Sequence, residues 1–145
     1  MKRILICGLP GSGKTTLATR LVEVLGNADL YNADEVREKF KDWDFTAEGR
    51  ERQMKRMQDY VRKSVAKDRY GVADFICPTD ELRSKFMPEY VIWMNTIEEG
   101  RFEDTNKLFE APTGTVNVEI TAEEWWTDEA VESFAKLIAV DIKDA

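Results

Sequence analysis

The sequence has no histidine and only two cysteines in 145 residues. Without an imidazole, neither a histidine-based triad nor a histidine-ligated metal site can be built. Acid–base work falls to carboxylates, Lys, Tyr or water. Cys7 and Cys77 lie in apolar runs without metal-ligand spacing, which predicts buried, reduced thiols in a cytoplasmic chain. A basic surplus is missing too, since 21 Lys and Arg stand against 28 Asp and Glu, a formal charge of −7. Proteins that coat nucleic acid or sit on anionic membrane draw on such a surplus, so this balance argues against nucleic acid as a partner. No stretch approaches the roughly 18 apolar residues of a membrane span, and the apolar residues after Lys2-Arg3 are too few for a secretory segment. No membrane partner is expected. Repeats, low-complexity tracts and linkers are absent as well. With 43% hydrophobic and 34% charged residues, the expectation is one globular domain over residues 1–145.

What is present is concentrated near the start. Gly8-Leu9-Pro10-Gly11-Ser12-Gly13-Lys14-Thr15 follows the apolar run Ile4-Leu5-Ile6-Cys7 and leads into a helical pattern, Leu17, Leu21, Val24 and Leu25. Strand, glycine-rich loop and helix, with the spacing G-x-x-x-x-G-K-[ST], form a phosphate-binding (Walker A) P-loop. Gly8, Gly11 and Gly13 let backbone amides turn inward around a polyphosphate, joined by those of Ser12 and Thr16. The helix start adds N–H groups and the positive end of its dipole. Lys14 supplies a point charge to the β- and γ-phosphates, and the Thr15 hydroxyl can hold Mg²⁺. The cofactors implied are ATP and Mg²⁺.

Downstream, strands and helices alternate, the pattern of a parallel sheet covered on both faces. Strands are predicted at Arg3–Cys7, Asp29–Tyr31, Val72–Cys77, Tyr90–Met94 and Val116–Ile120. Helices are predicted at Lys14–Gly26, Ala33–Lys41 with Asn32 as cap, Ala47–Arg69 with Thr46 as cap, and Glu81–Phe86. Met54, Met57, Val61 and Val65 give the longest helix its buried stripe. A further helix is expected to start in Thr96–Arg101, a loop to fill Phe102–Thr113, and a C-terminal helix to follow a cap at Thr121 or Asp128. Trp125 and Trp126 are expected to close the bottom of the core. The fold class is α/β, a three-layer P-loop nucleotide kinase-like fold with a five-stranded parallel sheet.

Ligand crevices in open parallel sheets lie at the carboxyl ends of the strands. Asp34, just past the second strand, is therefore placed to receive a proton from an attacking hydroxyl or to orient Mg²⁺ through water. The plainer reading of Asp34 is a carboxylate that complements its helix dipole. Arg37, one turn on, and Arg50, behind Asp44-Phe45, can with Phe45 form a pocket that stacks a planar ligand and holds an anion. Arg101 and Lys107 are candidates for a cationic flap over the transferring phosphoryl group.

Together these residues resemble the adenylylsulfate kinase family. The resemblance rests on Gly8–Ala18, and on Asn32-Ala33-Asp34-Glu35-Val36-Arg37 as the counterpart of DGDNVR. It also rests on Phe45-Thr46-Ala47-Glu48-Gly49-Arg50 with Gln53 and Lys55-Arg56, on Phe75-Ile76-Cys77-Pro78 with Arg83, and on Phe109-Glu110-Ala111-Pro112. It implies a P-loop kinase that moves the γ-phosphoryl of ATP to the 3′-hydroxyl of adenosine 5′-phosphosulfate. It also implies that Phe45 stacks on the acceptor's adenine, that Arg50 grips its phosphosulfate, and that Arg37, Gln53, Ile76, Cys77 and Pro78 line the acceptor site. The chain departs from the pattern at Asn32 (Asp in the family), at Gln53 (Asn), at Thr79-Asp80 (Tyr-Arg) and in a lid shortened between Arg101 and Phe109. Polynucleotide kinases resemble the chain as well.

The expected function is an ATP-dependent kinase (a transferase) acting on a hydroxyl of a small, nucleotide-like acceptor, with Lys14 and Asp34 catalytic and Thr15 on the metal. The alternatives are a polynucleotide 5′-hydroxyl kinase and a nucleotide-binding module that has lost its chemistry. A homodimer is compatible with this reading.

Overall fold

A computed structural model describes residues 2–100 and 103–144. Five strands, β1 (Arg3–Cys7), β2 (Ala28–Asn32), β3 (Tyr70–Asp74), β4 (Tyr90–Asn95) and β5 (Val118–Thr121), form one sheet in the order β2-β3-β1-β4-β5. Every pairing is parallel. The period of two in β1 explains why both faces are covered. Ile4 and Ile6 enter one core cluster, and Leu5 and Cys7 the other.

The first cluster is closed by α1 (Lys14–Leu25), through Leu17, Ala18, Leu21 and Leu25, and by α7 (Asp128–Asp144), through Ala135, Ile138, Ala139 and Ile142. The second is closed by α3 (Ala47–Ala66), through Met54, Met57 and Val61, and by Phe86 of α4 (Asp80–Phe86). Each of those α3 side chains is essentially fully buried, worth about 1.5–3 kcal/mol apiece in apolar transfer. The predicted stripe of α3 is thus the one that packs. It lies close to the sheet at Gly71, where a Cβ would stand 2.9 Å from the Val61 Cα. Among the described residues, no helix is long and apolar enough to cross a membrane.

Several boundaries differ from expectation for local reasons. The third strand ends at Asp74, not Cys77, because β1 turns away after Cys7 and leaves no ladder partner. Cys77 itself has φ 43°, outside any strand conformation. Helix α3 stops at Ala66 because Arg69 turns back onto Asp29, with Nε–Oδ2 at 3.0 Å, and onto the Ala28 carbonyl. The stretch expected to be loop contains a helix, α5 (Glu103–Leu108), whereas no helix starts in the described part of the 96–101 stretch. Thr96 there donates its hydroxyl to the Ser12 carbonyl at 2.6 Å instead of capping. After β5, a short helix α6 (Ala122–Trp125) precedes α7. Trp125 does close a core, but at the P-loop end of the sheet, while Trp126 is exposed.

Candidate active site

The loop between β1 and α1 has the backbone its glycines allow. Gly8, Gly11 and Gly13 have φ of 153°, 85° and 100°. At Gly13 a side chain would also collide with the Trp125 indole, 2.9 Å from Cε2. The Ser12 N–H bonds the Leu9 carbonyl at 3.2 Å, and the Lys14 ammonium, buried, donates to the same carbonyl at 2.9 Å. The first helical bond of α1 is Leu17 N–H to the Gly13 carbonyl, and no carboxylate occupies its first turn. The helix itself therefore supplies no counter-charge to its dipole end. Thr15 and Thr16 are exposed there.

Thr15 is held by a residue the sequence reading passed over. Its hydroxyl donates to Asp74 Oδ2 at 2.6 Å, and Asp74 is only 2% exposed at the carboxyl end of β3. Asn32, at the end of β2, completes the group. Its amide nitrogen donates to Asp74 Oδ2 at 2.9 Å and to Thr15 Oγ1 at 3.2 Å. The readable signal was an apolar strand, Val72-Ala73, ending on an acid. Extending that strand to Cys77 hid it. Asp34, the second residue of α2 (Ala33–Phe40), is exposed and makes no side-chain hydrogen bond or ion pair with another described residue. It lies two residues past Asn32, and among the described residues its side chain makes no hydrogen bond to the Thr15–Asp74 pair, so its part in the site is a matter for proposal.

The predicted acceptor residues come together next to α2. Phe45 is half-exposed, and its ring lies 4.3 Å from the Arg37 guanidinium and 5.4 Å from that of Arg50. Arg37 donates to the carbonyls of Asp42 and Asp44 at 2.9 and 3.1 Å. Arg50 donates to the Phe45 carbonyl at 3.0 Å and to Thr105 at 3.3 Å. Burial pulls the pKa of Arg37 down, against the opposing pull of Asp42. Gln53 donates to the Ala33 carbonyl at 2.9 Å, while its buried Oε1 has no partner among the described residues. Trp43, also half-exposed, tilts toward Phe45 at 6.5 Å.

The flap reaches this group through Thr105 of α5. Its base is clamped by Asn106, which pairs with both the N–H and the carbonyl of Gly100 at 2.7 and 3.1 Å. Lys107 is exposed and pairs with Glu103 at 3.3 Å. Arg101 lies outside the described residues. Ile76 is half-buried, and Cys77 and Pro78 are buried behind the β3 end. Burial pushes the Cys77 thiol well up and the Cys7 thiol up to about 11, and both side chains are fully enclosed. Arg83 is turned inward, donating to the carbonyls of Cys77 and Glu110 at 3.0 and 2.5 Å and pairing with Asp80 at 3.0 Å. The Thr113 hydroxyl and amide, then Arg83, hold Asp80 below the usual carboxylate range. No cage of three or more Cys, Asp or Glu side chains exists among the described residues. The Thr15 hydroxyl and a single carboxylate are a donor set that suits Mg²⁺, which binds through one or two carboxylates plus substrate phosphates.

A profile of the AAA domain family matches residues 4–88. No protein of curated function matches the sequence. Among solved structures, the protein APE1195 superimposes with a TM-score of 0.82 at 20% identity, covering 100% of this chain and 98% of the other. The Mycobacterium tuberculosis APS kinase CysC in complex with AMPPNP and APS follows at 0.77 and 17% identity, covering 99% and 98%. An unliganded sugar kinase from Janibacter sp. HTCC2649 gives 0.75 at 16% identity, covering 98% and 95%. At these identities the likeness is one of fold, the α/β P-loop kinase-like fold.

Proposed function

The chain belongs to the AAA domain family, and from that premise we propose that it is an ATP-dependent phosphotransferase acting on a hydroxyl of a small acceptor. The observation that carries this reading is the Thr15–Asp74 contact at the mouth of a glycine-rich loop with Lys14 buried at its root. In this reading residues 1–145 form one catalytic domain. The amides of Gly11–Thr16 and the Lys14 ammonium hold the triphosphate and its developing charge. Thr15 and Asp74 would hold Mg²⁺, which when bound would supply positive charge to the phosphates. The acceptor oxygen bonds to the γ-phosphorus as the bond from that phosphorus to the β–γ bridging oxygen breaks, and ADP leaves. Asp34 takes the hydroxyl proton, directly or through one water, an exposed position being suited to the second route.

Phe45, Arg37 and Arg50 seat the acceptor. A half-exposed ring flanked by two guanidiniums suits a planar anion, and a nucleotide-like acceptor such as adenosine 5′-phosphosulfate is the one we favour. Gln53 braces α2 behind that acceptor through the Ala33 carbonyl, and Ile76, Cys77 and Pro78 back its site. Lys107 and Arg101 close from the flap, which for Lys107 requires release of Glu103. One observation favours a less anionic acceptor, such as a sugar. Asp80 stands where the resemblance has an arginine and pairs with Arg83, so this wall of the site has one cation fewer for a phosphosulfate.

Following ADP release from Mg·ATP across a panel of hydroxyl compounds tests both readings. The panel contains adenosine 5′-phosphosulfate, simple sugars and a 5′-hydroxyl oligonucleotide. Acceptor-dependent ADP release supports the kinase assignment and identifies the acceptor. Release that no acceptor stimulates would leave a nucleotide-binding module without transfer chemistry.

A further inference from the structure

Asn32 makes three hydrogen bonds that fix which way its amide points. The Glu35 N–H donates to Asn32 Oδ1 at 3.1 Å, capping α2, so the oxygen is committed to the helix. The nitrogen must then face the sheet, where it donates to Asp74 and Thr15. The NH₂ group carries partial positive charge and bridges the same two oxygens that the proposed function assigns to a divalent cation. A carboxylate at this position would cap the helix equally well but would set a second negative charge beside Asp74.

We propose that Asn32 is a positioning residue that stands in for the cation. Its amide holds the Thr15 hydroxyl and the Asp74 carboxylate in place while no metal is present and offsets part of the Asp74 charge. It thereby sets how strongly nucleotide binding depends on Mg²⁺. This rests on the reading that the loop binds Mg·ATP.

The test is a calorimetric titration of ATP into the full chain, in EDTA and in excess Mg²⁺, for wild type, Asn32→Ser and Asn32→Asp. Both replacements keep the helix cap, but each removes the bond to buried Asp74, so thermal midpoints are expected to fall by several degrees and binding is compared well below them. Serine keeps the cap but cannot reach across to both oxygens, and aspartate reverses the donor. The ratio of Kd in EDTA to Kd in Mg²⁺ is expected to rise about threefold in Asn32→Ser and about tenfold or more in Asn32→Asp, with most of the change in EDTA. A ratio equal in all three proteins overturns the proposal. A rise in Asn32→Asp alone overturns it too, because an added charge near the phosphates would have that effect without any role for the amide. Wild type that binds no ATP even with Mg²⁺ removes the parent reading and this one together. Wild type that binds while the ratios stay flat removes only this one.

Discussion

Replacing Asp74 by Asn separates charge from shape at the centre of the site. The side chain is almost fully buried and accepts from Thr15 at 2.6 Å and from Asn32 at 2.9 Å. Both donors reach the same oxygen, Oδ2, so an amide whose oxygen takes that place can keep both contacts. Two hydrogen bonds to an ionised acceptor become two to a neutral one, a loss of about 1–3 kcal/mol. Against this, a buried carboxylate no longer has to be desolvated, a relief of comparable size. The thermal midpoint is therefore expected to move by only a few degrees. Function should move much further. If Asp74 supplies a ligand charge to the metal, its loss should lower kcat by about 10²–10³, as for a transition-state charge partner. Metal-free ATP should bind about three- to tenfold tighter, because one negative charge near the phosphates has gone. At about 6 Å and an effective dielectric near 20, that charge opposes the nucleotide by up to ~3 kcal/mol before solvent screening. The assay is steady-state ADP release with titrated Mg²⁺, beside ATP calorimetry in EDTA. A kcat within threefold of wild type, with an unchanged Mg²⁺ half-saturation, would make Asp74 a structural anchor for Thr15 and nothing more.

Phe45→Ala should leave stability within about 1–2 kcal/mol, since the ring is half-exposed and what it loses is two guanidinium contacts. The acceptor KM should nevertheless rise at least fivefold, and unchanged acceptor kinetics would remove the ring from the site. Acid stability follows from Glu132, held down to about 2 by the Arg20 hydrogen bond, and Asp44, held to about 2 by the Thr46 hydroxyl. Folded values below unfolded ones mean stability that is present above the ordinary carboxylate range, near 4, and lost as pH falls toward 2. Thermal midpoints measured between pH 6 and pH 2 should drop mainly below about 5, and Arg20→Gln should flatten that drop. A curve identical to wild type would deny the pair a role. Native protein should react with a thiol reagent at neither Cys7 nor Cys77 until it unfolds, both being fully buried. Labelling that precedes unfolding would show the core around them to be open.

Much of this architecture was legible because its determinants are local. The P-loop needs only eight neighbouring residues and a flank on each side, and β1 shows its double burial in an unbroken apolar run. The cap residues Asn32 and Thr46 announced their helices within three positions. What stayed hidden depended on partners distant in sequence. Asp74 reads as an interruption in an apolar strand until Thr15, 59 residues away, gives it a contact. Helix α5 has weak periodicity, and its buried polar contact, Thr105 with Arg50, spans 55 residues. Trp125 was placed in a core correctly but at the wrong end, because nothing local says that its ring covers Gly13. On the acceptor side, the arginines could be gathered from spacing and resemblance. That Arg83 turns onto the Glu110 carbonyl, 27 residues away, could not.

The account turns on whether the loop that holds Lys14 binds a triphosphate. Calorimetric titration of Mg·ATP into wild type and Lys14→Ala addresses this most directly. Saturable binding of one ATP per chain, weakened at least tenfold, about 1.4 kcal/mol, in the variant is the expected result. Equal affinity in the two proteins, or none in either, would contradict it.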